Sequence, residues 1–271
     1  MKQLSNKRIP KKFYSISLVA VLLIVWQVVS DIELVPSFML PSPVNVVKAF
    51  IRDLPVLMDN LSITLIAGLL GLACGVIAGF CLAVLMDSRE GLRKAIYPIL
   101  IFSQTVPTVA IAPLLVLWMG YGLAPKITVI FLVAFFPVTV NLLESFQATD
   151  PDQIRLLQAM GATNFHIFYF VKWPGALDSF FASLKVSASY SIVGAVIAEW
   201  LGGSKGLGVY MTQVRKSFAY DKMFAVIFLI SALSLVLLFV LNVIQNKVMP
   251  WRKFQSGKGA NGKDINNEKN S

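Results

Sequence analysis

Glu199 precedes Trp200 at the end of an apolar run, in "GAVIAEWLGGSKGLG". A carboxylate close to hydrocarbon is expensive, so it either serves a solute or is paired and structural. The first option makes Glu199 a translocation-path candidate; the second pairs it with Lys205, six residues on. Glu144, near the end of another apolar run, reads as an interfacial acid. "GGSKGLG" (202–208) is glycine-rich and carries a lysine. It lacks the G-x-x-x-x-G-K-[ST] spacing of a phosphate loop and follows an apolar run, not a strand, so nucleotide binding is not expected there.

Other chemistry is sparse. One histidine, His166, and two cysteines, Cys74 and Cys81, cannot build a metal motif. The cysteines are seven apart within one apolar run, about two helical turns, too far for a disulfide. They read as small buried apolar residues. His166 sits among Phe165, Phe168, Tyr169 and Phe170 and reads as a boundary histidine on an amphipathic helix. No nucleophile–base–orienter set appears, so neither catalysis nor a cofactor is expected of this chain.

The elements that position these residues are apolar and long. Of 271 residues, 56% are hydrophobic and 14% charged, against about a quarter charged in a soluble domain. Several runs approach the roughly 20 apolar residues needed to cross a bilayer. The net charge of +10 is then a matter of basic residues at membrane borders, not of a nucleic-acid partner.

The fold class is therefore all-α, a polytopic membrane protein of about six transmembrane helices. A basic N-terminus (1–12) precedes a first apolar run at 13–29, read as an uncleaved helix because no small-residue cleavage site follows. Residues 30–60 carry Pro36, Pro41, Pro43 and Pro55 and read as loop plus a short helix starting at Ser42-Pro43. A core over 61–245 holds five further runs: 61–86, 95–119, 127–146, 181–201 and 223–248. Gly71, Gly75 and Gly79 in the second run make a tight packing face. Pro98, Pro107 and Pro113 bend the third. The tail, 249–271, is too polar to bury a core and is expected to be disordered. With both termini cytoplasmic, sixteen Lys and Arg fall on the inner side and seven on the outer, as orientation requires.

That orientation places 147–180 in the cytoplasm. "DPDQIRLLQAMGA" starts with Asp150 as N-cap and Pro151 in the first turn, repeats apolar residues at Ile154, Leu157 and Met160, and ends at Gly161. A second short helix, "NFHIFYFVKW", runs to Pro174. A short helix with an apolar face must cover it with the membrane surface, its own core, or another protein's groove.

Here the chain resembles the membrane-spanning subunits of type I ABC importers. "LLQAMGATNFHIFYFVKWPGAL" is similar to their cytoplasmic loop, with Gly161-Ala162 at the glycine-alanine step and Pro174 at the downstream proline. The family's Glu-Ala-Ala triplet is absent: Arg155, Leu156 and Leu157 stand in its place, and Asp178 stands where relatives often have proline. "VPTVAIAPLLVLWMGYGLAPKI" and "IAEWLGGSKGLG" resemble the nitrate, sulfonate and taurine branch, and "FFPVTVNLLESFQATDP" looks like members serving thiamine-precursor pyrimidines.

The resemblance implies a permease in the cell membrane, importing a small solute delivered by an extracellular solute-binding lipoprotein. It implies a second permease copy as a homodimer, and a separate ATPase contacted through the 150–174 loop by Arg155, Leu156, Leu157, Met160, Gly161, Ala162 and Pro174. ATP hydrolysis then belongs to the partner. The alternatives are a stand-alone secondary transporter or facilitator, without a visible inverted repeat, and a membrane-bound enzyme.

Overall fold

The computed structural model describes residues 11–36 and 38–251. Residues 1–10 of the expected basic terminus and 252–271 of the expected tail lie outside them. Every regular element among the described residues is helical. In chain order they are α1 (Lys11–Asp31), α2 (Pro43–Arg52), α3 (Leu54–Ser88), α4 (Glu90–Gln104), α5 (Thr108–Met119), α6 (Leu123–Gln147), α7 (Pro151–Ala159), α8 (Asn164–Ile167), a π-helical turn (Phe168–Lys172), α9 (Trp173–Gly202), α10 (Leu207–Lys216) and α11 (Tyr220–Val248).

Four stretches are long and apolar enough to cross a bilayer: α3, α6, α11 and the continuous 39-residue stretch Asn164–Gly202. The run expected as one bent helix over 95–119 is two helices, α4 and α5, inclined at 97° across a break. The cause is local. Pro107 caps α5 in an extended conformation, φ −62° and ψ 115°, and proline also disfavours helix at the residue before it. Pro98 and Pro113 sit inside α4 and α5. The first run lies in α1, in which Ser17–Asp31 is a shorter apolar helix. It meets the core through Trp26, whose ring lies 5.7 Å from Phe224 and 5.9 Å from Phe228. Leu18, Leu22 and Ile24 remain exposed, as hydrocarbon solvent allows.

The centre of the molecule is α6, with no exposed residue between Pro125 and Val140. It packs against α3 on one side and α9 on the other. The α3 face is built from Gly71, Gly75 and Gly79, as their spacing predicts. A Cβ at Gly75 would stand 2.8 Å from both the Ala134 Cβ and the Phe131 carbonyl oxygen, and one at Gly79 2.9 Å from the Phe135 carbonyl. Small residues in membrane helices let backbones approach this closely, and van der Waals contact rather than solvent exclusion then holds them. On the α9 side Ala195 closes a small cluster with Ala67 and Ile130.

Cys74 and Cys81 were expected to be buried. Both are exposed. The glycine face takes the α3 contact with α6, and the cysteines lie off that face.

Candidate functional site: an exposed loop face and a buried clasp

The core has two chemically distinct ends. At one end, α7, α8 and the π turn form the loop between α6 and α9. The Asp150 side chain accepts the Asp152 N–H at 2.9 Å, capping α7 with Pro151 in its first turn. The helix ends in a two-bond motif. The Gly161 N–H donates to the Gln158 carbonyl at 3.0 Å and the Ala162 N–H to the Leu157 carbonyl at 2.9 Å. Gly161 adopts φ +81°, a left-handed conformation that other residues enter at a cost. α8 is capped reciprocally: Thr163 Oγ accepts from the His166 N–H, and His166 Nδ1 accepts from the Thr163 N–H. His166 is thus a helix cap on an exposed turn. The signal was a Thr with a hydrogen-bonding side chain three residues on.

The second short helix does not stop at Pro174. The π turn runs on into α9, which begins at Trp173, so Pro174 lies in the first turn of the long helix and is exposed. The wide turn suits a proline there, since proline lacks the N–H that a tighter ladder would use.

The loop presents an apolar surface. Leu156 is 63% exposed, Met160 74% and Phe165 70%, with Tyr169 and Phe170 also exposed. Leu157 is half-buried, and Arg155 pairs with Asp152 at 3.3 Å in solvent. The loop is tied to the spans from beneath. Lys172 Nζ donates to the Asp87 carboxylate at 2.8 and 2.9 Å, at the end of α3. Phe168 packs on Phe146 of α6 with ring centroids 5.4 Å apart, and Trp173 on Phe80 of α3 at 5.1 Å.

At the other end charge is buried. Glu199 is 2% exposed and Lys126 3%. Lys126 Nζ donates to Glu199 Oε1 at 3.2 Å and to the Lys205 backbone carbonyl at 2.6 Å. The expected Lys205 partner therefore supplies its main chain, and Lys126 from the start of α6 supplies the charge. The Gly208 N–H donates to Glu199 Oε2 at 2.8 Å. The Thr64 hydroxyl of α3 lies 3.0 and 3.1 Å from the two carboxylate oxygens and accepts the Leu207 N–H at 2.9 Å. The Gly206 N–H donates to Asn60 Oδ1 at 2.9 Å. A Cβ on Gly206, at φ +129°, would land on the Glu199 carboxylate. The glycine loop therefore cradles an anion, but the anion is the chain's own carboxylate. This clasp joins α3, α6, α9 and α10. Lys126, Thr64 and Asn60 have no local sequence signal: 73 residues separate Lys126 from Glu199.

Beside the clasp, Asp53 accepts from the Tyr210 hydroxyl at 2.6 Å and pairs with Lys222 at 2.6 Å. Burial pushes the Asp53 carboxyl up. The hydrogen bonds from Lys222, Tyr210 and Arg52 outweigh this and hold it below the usual carboxylate range. The Tyr210 phenol is pushed up, first by burial and then by the hydrogen bond to the Asp53 carboxylate. No group of three His, Cys, Asp or Glu that could hold a metal occurs among the described residues.

The geometry is that of a helical membrane protein, and comparison with known proteins agrees. Residues 71–252 match the family model described as the binding-protein-dependent transport system inner membrane component. The formylaminopyrimidine transport permease protein ThiX of Halalkalibacterium halodurans is 35% identical over 86% of this chain and 94% of that protein. The taurine transport system permease protein TauC of Escherichia coli is 29% identical over 88% and 89%. Among solved structures, an inward-facing form of the MetNI methionine ABC transporter superposes with a TM-score of 0.62 at 19% identity, covering 73% of this chain and 98% of that one. The chain belongs to the inner-membrane permease family of binding-protein-dependent ABC importers.

Proposed function

We propose that this permease couples ATP binding to transport through the 150–174 loop, that the loop and both termini face the cytoplasm, and that two copies pair in the membrane. One observation carries the reading: a short, well-capped helix turns Leu156 and Met160 to solvent while its base is pinned to the spans. An apolar face of this kind needs a groove on a partner, and the ATPase of the family supplies one. Leu156, Leu157 and Met160 insert; Gly161 and Ala162 set the exit angle; Arg155, standing where the family has glutamate, meets an acidic or neutral position on the partner. Force passes through Lys172–Asp87 and Phe168–Phe146 to α3 and α6, and through the π turn into α9. Rigid helices then rock the membrane core. Glu199 acts here by holding the far end rigid, its carboxylate being already satisfied. For the solute, the relative with 35% identity favours a pyrimidine over the sulfonates, taurine and nitrate of the wider branch. A stand-alone transporter is disfavoured by family membership.

The test is co-purification with the ATPase. Leu156→Glu with Met160→Glu, both at exposed positions, should lose the ATPase from the purified complex and abolish ATP-coupled uptake. Retained assembly and uptake would refute the docking.

A further inference from the structure

On the loop side, the ends of α6 and α9 leave an open cavity of about 460 Å³, lined by Asn141, Glu144, Ser145, Ala148, Ser179 and Ala182. Small-molecule sites span roughly 300–1,000 Å³. The space exists because both helices present small residues there. It lies at the base of a longer face of α9, continued by exposed Val186, Tyr190 and Val193 at helical spacing.

Its polar groups are arranged for a particular kind of ligand. Asn141 and Glu144 are three apart on α6 and so are neighbours on its surface. Both are exposed. The Tyr97 hydroxyl donates to Glu144 Oε1 at 3.2 Å, which fixes the carboxylate and leaves most of its acceptor capacity open. Asp53, Asp87, Glu90 and Glu199 each face a cation, Lys222, Lys172, Lys94 and Lys126 in turn. Glu144 faces a phenol and a cavity. A carboxylate accepts two N–H donors; a carboxamide both donates and accepts. Side by side they match a heterocycle whose exocyclic amine adjoins a ring nitrogen, the amine donating to Glu144 and the ring nitrogen accepting from Asn141. A sulfonate or nitrate anion would instead meet like charge.

We propose that Asn141 and Glu144 form a polar subsite on the solute's route that accepts a neutral or cationic amino-heterocycle and rejects anions. The proposal rests on the permease reading above and narrows its substrate class.

Two measurements test it. The wild-type permease–ATPase complex is treated with a carboxyl-activating carbodiimide, and the Glu144 peptide is followed by mass spectrometry. Millimolar formylaminopyrimidine should slow its modification at least threefold, and an aliphatic sulfonate should not. No protection, or equal protection by both, overturns the proposal. In vesicles holding the complete importer with its binding protein, Glu144→Gln should cut ATP-dependent formylaminopyrimidine uptake about tenfold, and Glu144→Asp should restore most of it. Wild-type uptake by E144Q overturns the subsite while leaving the pyrimidine reading standing. Uptake of the sulfonate and not the pyrimidine by the wild-type importer overturns both.

Discussion

At the end of the core that carries Glu199, a lysine and a glutamate are buried against each other, and the Gly208 N–H donates to the carboxylate. At the end that carries the loop, Leu156, Met160, Phe165 and Phe170 stand in solvent while the charges beneath them are paired. Charge goes inward at one end and apolar surface outward at the other. Both choices cost stability unless something offsets them. At the clasp the offset lies within the chain: Thr64, the Gly208 N–H and Lys126 contact the Glu199 carboxylate, and Lys126 also donates to the Lys205 carbonyl. At the loop no such offset lies within the described residues, and the proposed docking would supply it. The contrast separates an end whose polar groups are satisfied within the chain from an end whose apolar face stands in solvent.

The largest expected effect tests the clasp half of that contrast. Glu199→Leu alone strands a buried ammonium, and Lys126→Met alone strands a buried carboxylate. Each should cost about 3–5 kcal/mol, read as a lowered unfolding midpoint of the purified protein. The double variant should recover most of the loss, because an apolar pair of similar volume replaces a buried ion pair at little cost. The same scan on Leu156→Glu should move by no more than about 0.5 kcal/mol, since that side chain touches little in the free subunit. Equal losses at both ends would break the comparison. Gly75→Val comes next. Its new Cβ meets the Phe131 carbonyl, which cannot swing aside as a side chain could, so overpacking should cost about 1–3 kcal/mol in the same measurement.

How much of this was legible follows from what each feature depends on. The four long spans, the packing glycines and the α7 caps at Asp150 and Gly161 depend on neighbours within about a turn or two, and the sequence states them. The clasp depends on residues brought together from α3, α6 and α9, and no local pattern couples Thr64, Lys126 and Glu199. Glu144 read as an interfacial acid, because the space opposite it is made by Ser179 and Ala182 of α9. The cysteines were misplaced for a different reason. Lipid is as apolar as a protein core, so hydrophobicity cannot say which face of α3 meets which. The break at 105–107 shows the limit of counting prolines: Pro98 and Pro113 are carried inside helices, and Pro107 ends one.

A smaller effect sharpens the loop half. Gly161→Ala adds a Cβ with nothing within 4 Å of it, so its whole cost is conformational. Holding an alanine at φ +81° should cost about 1 kcal/mol, localised to the end of α7. The expected outcome is faster hydrogen exchange at the Gly161 and Ala162 amides with the global unfolding midpoint little changed. A global loss would mean that the loop is part of the rigid core.

The smallest effect is a pH dependence at the clasp end. Asp53 has its carboxyl held below the usual range in the folded protein, so it binds fewer protons there than in the unfolded chain. Its stabilising contribution is therefore complete above the unfolded carboxylate value of about 4 and is lost as pH falls through the lower folded value. The effect should be modest, because Arg52 is mostly in solvent and Lys222 partly so, and screened pairs contribute little. Asp53→Asn should flatten this part of the profile, removing some of the stability seen at pH 7 and progressively less as pH falls through the acid range. Tyr210→Phe should do part of the same, since its phenol donates to the same oxygen that Lys222 contacts. If the wild-type and D53N curves stay parallel from pH 7 to 3, the junction between α2, α10 and α11 is held by packing alone, and the clasp by itself accounts for the rigidity of that end.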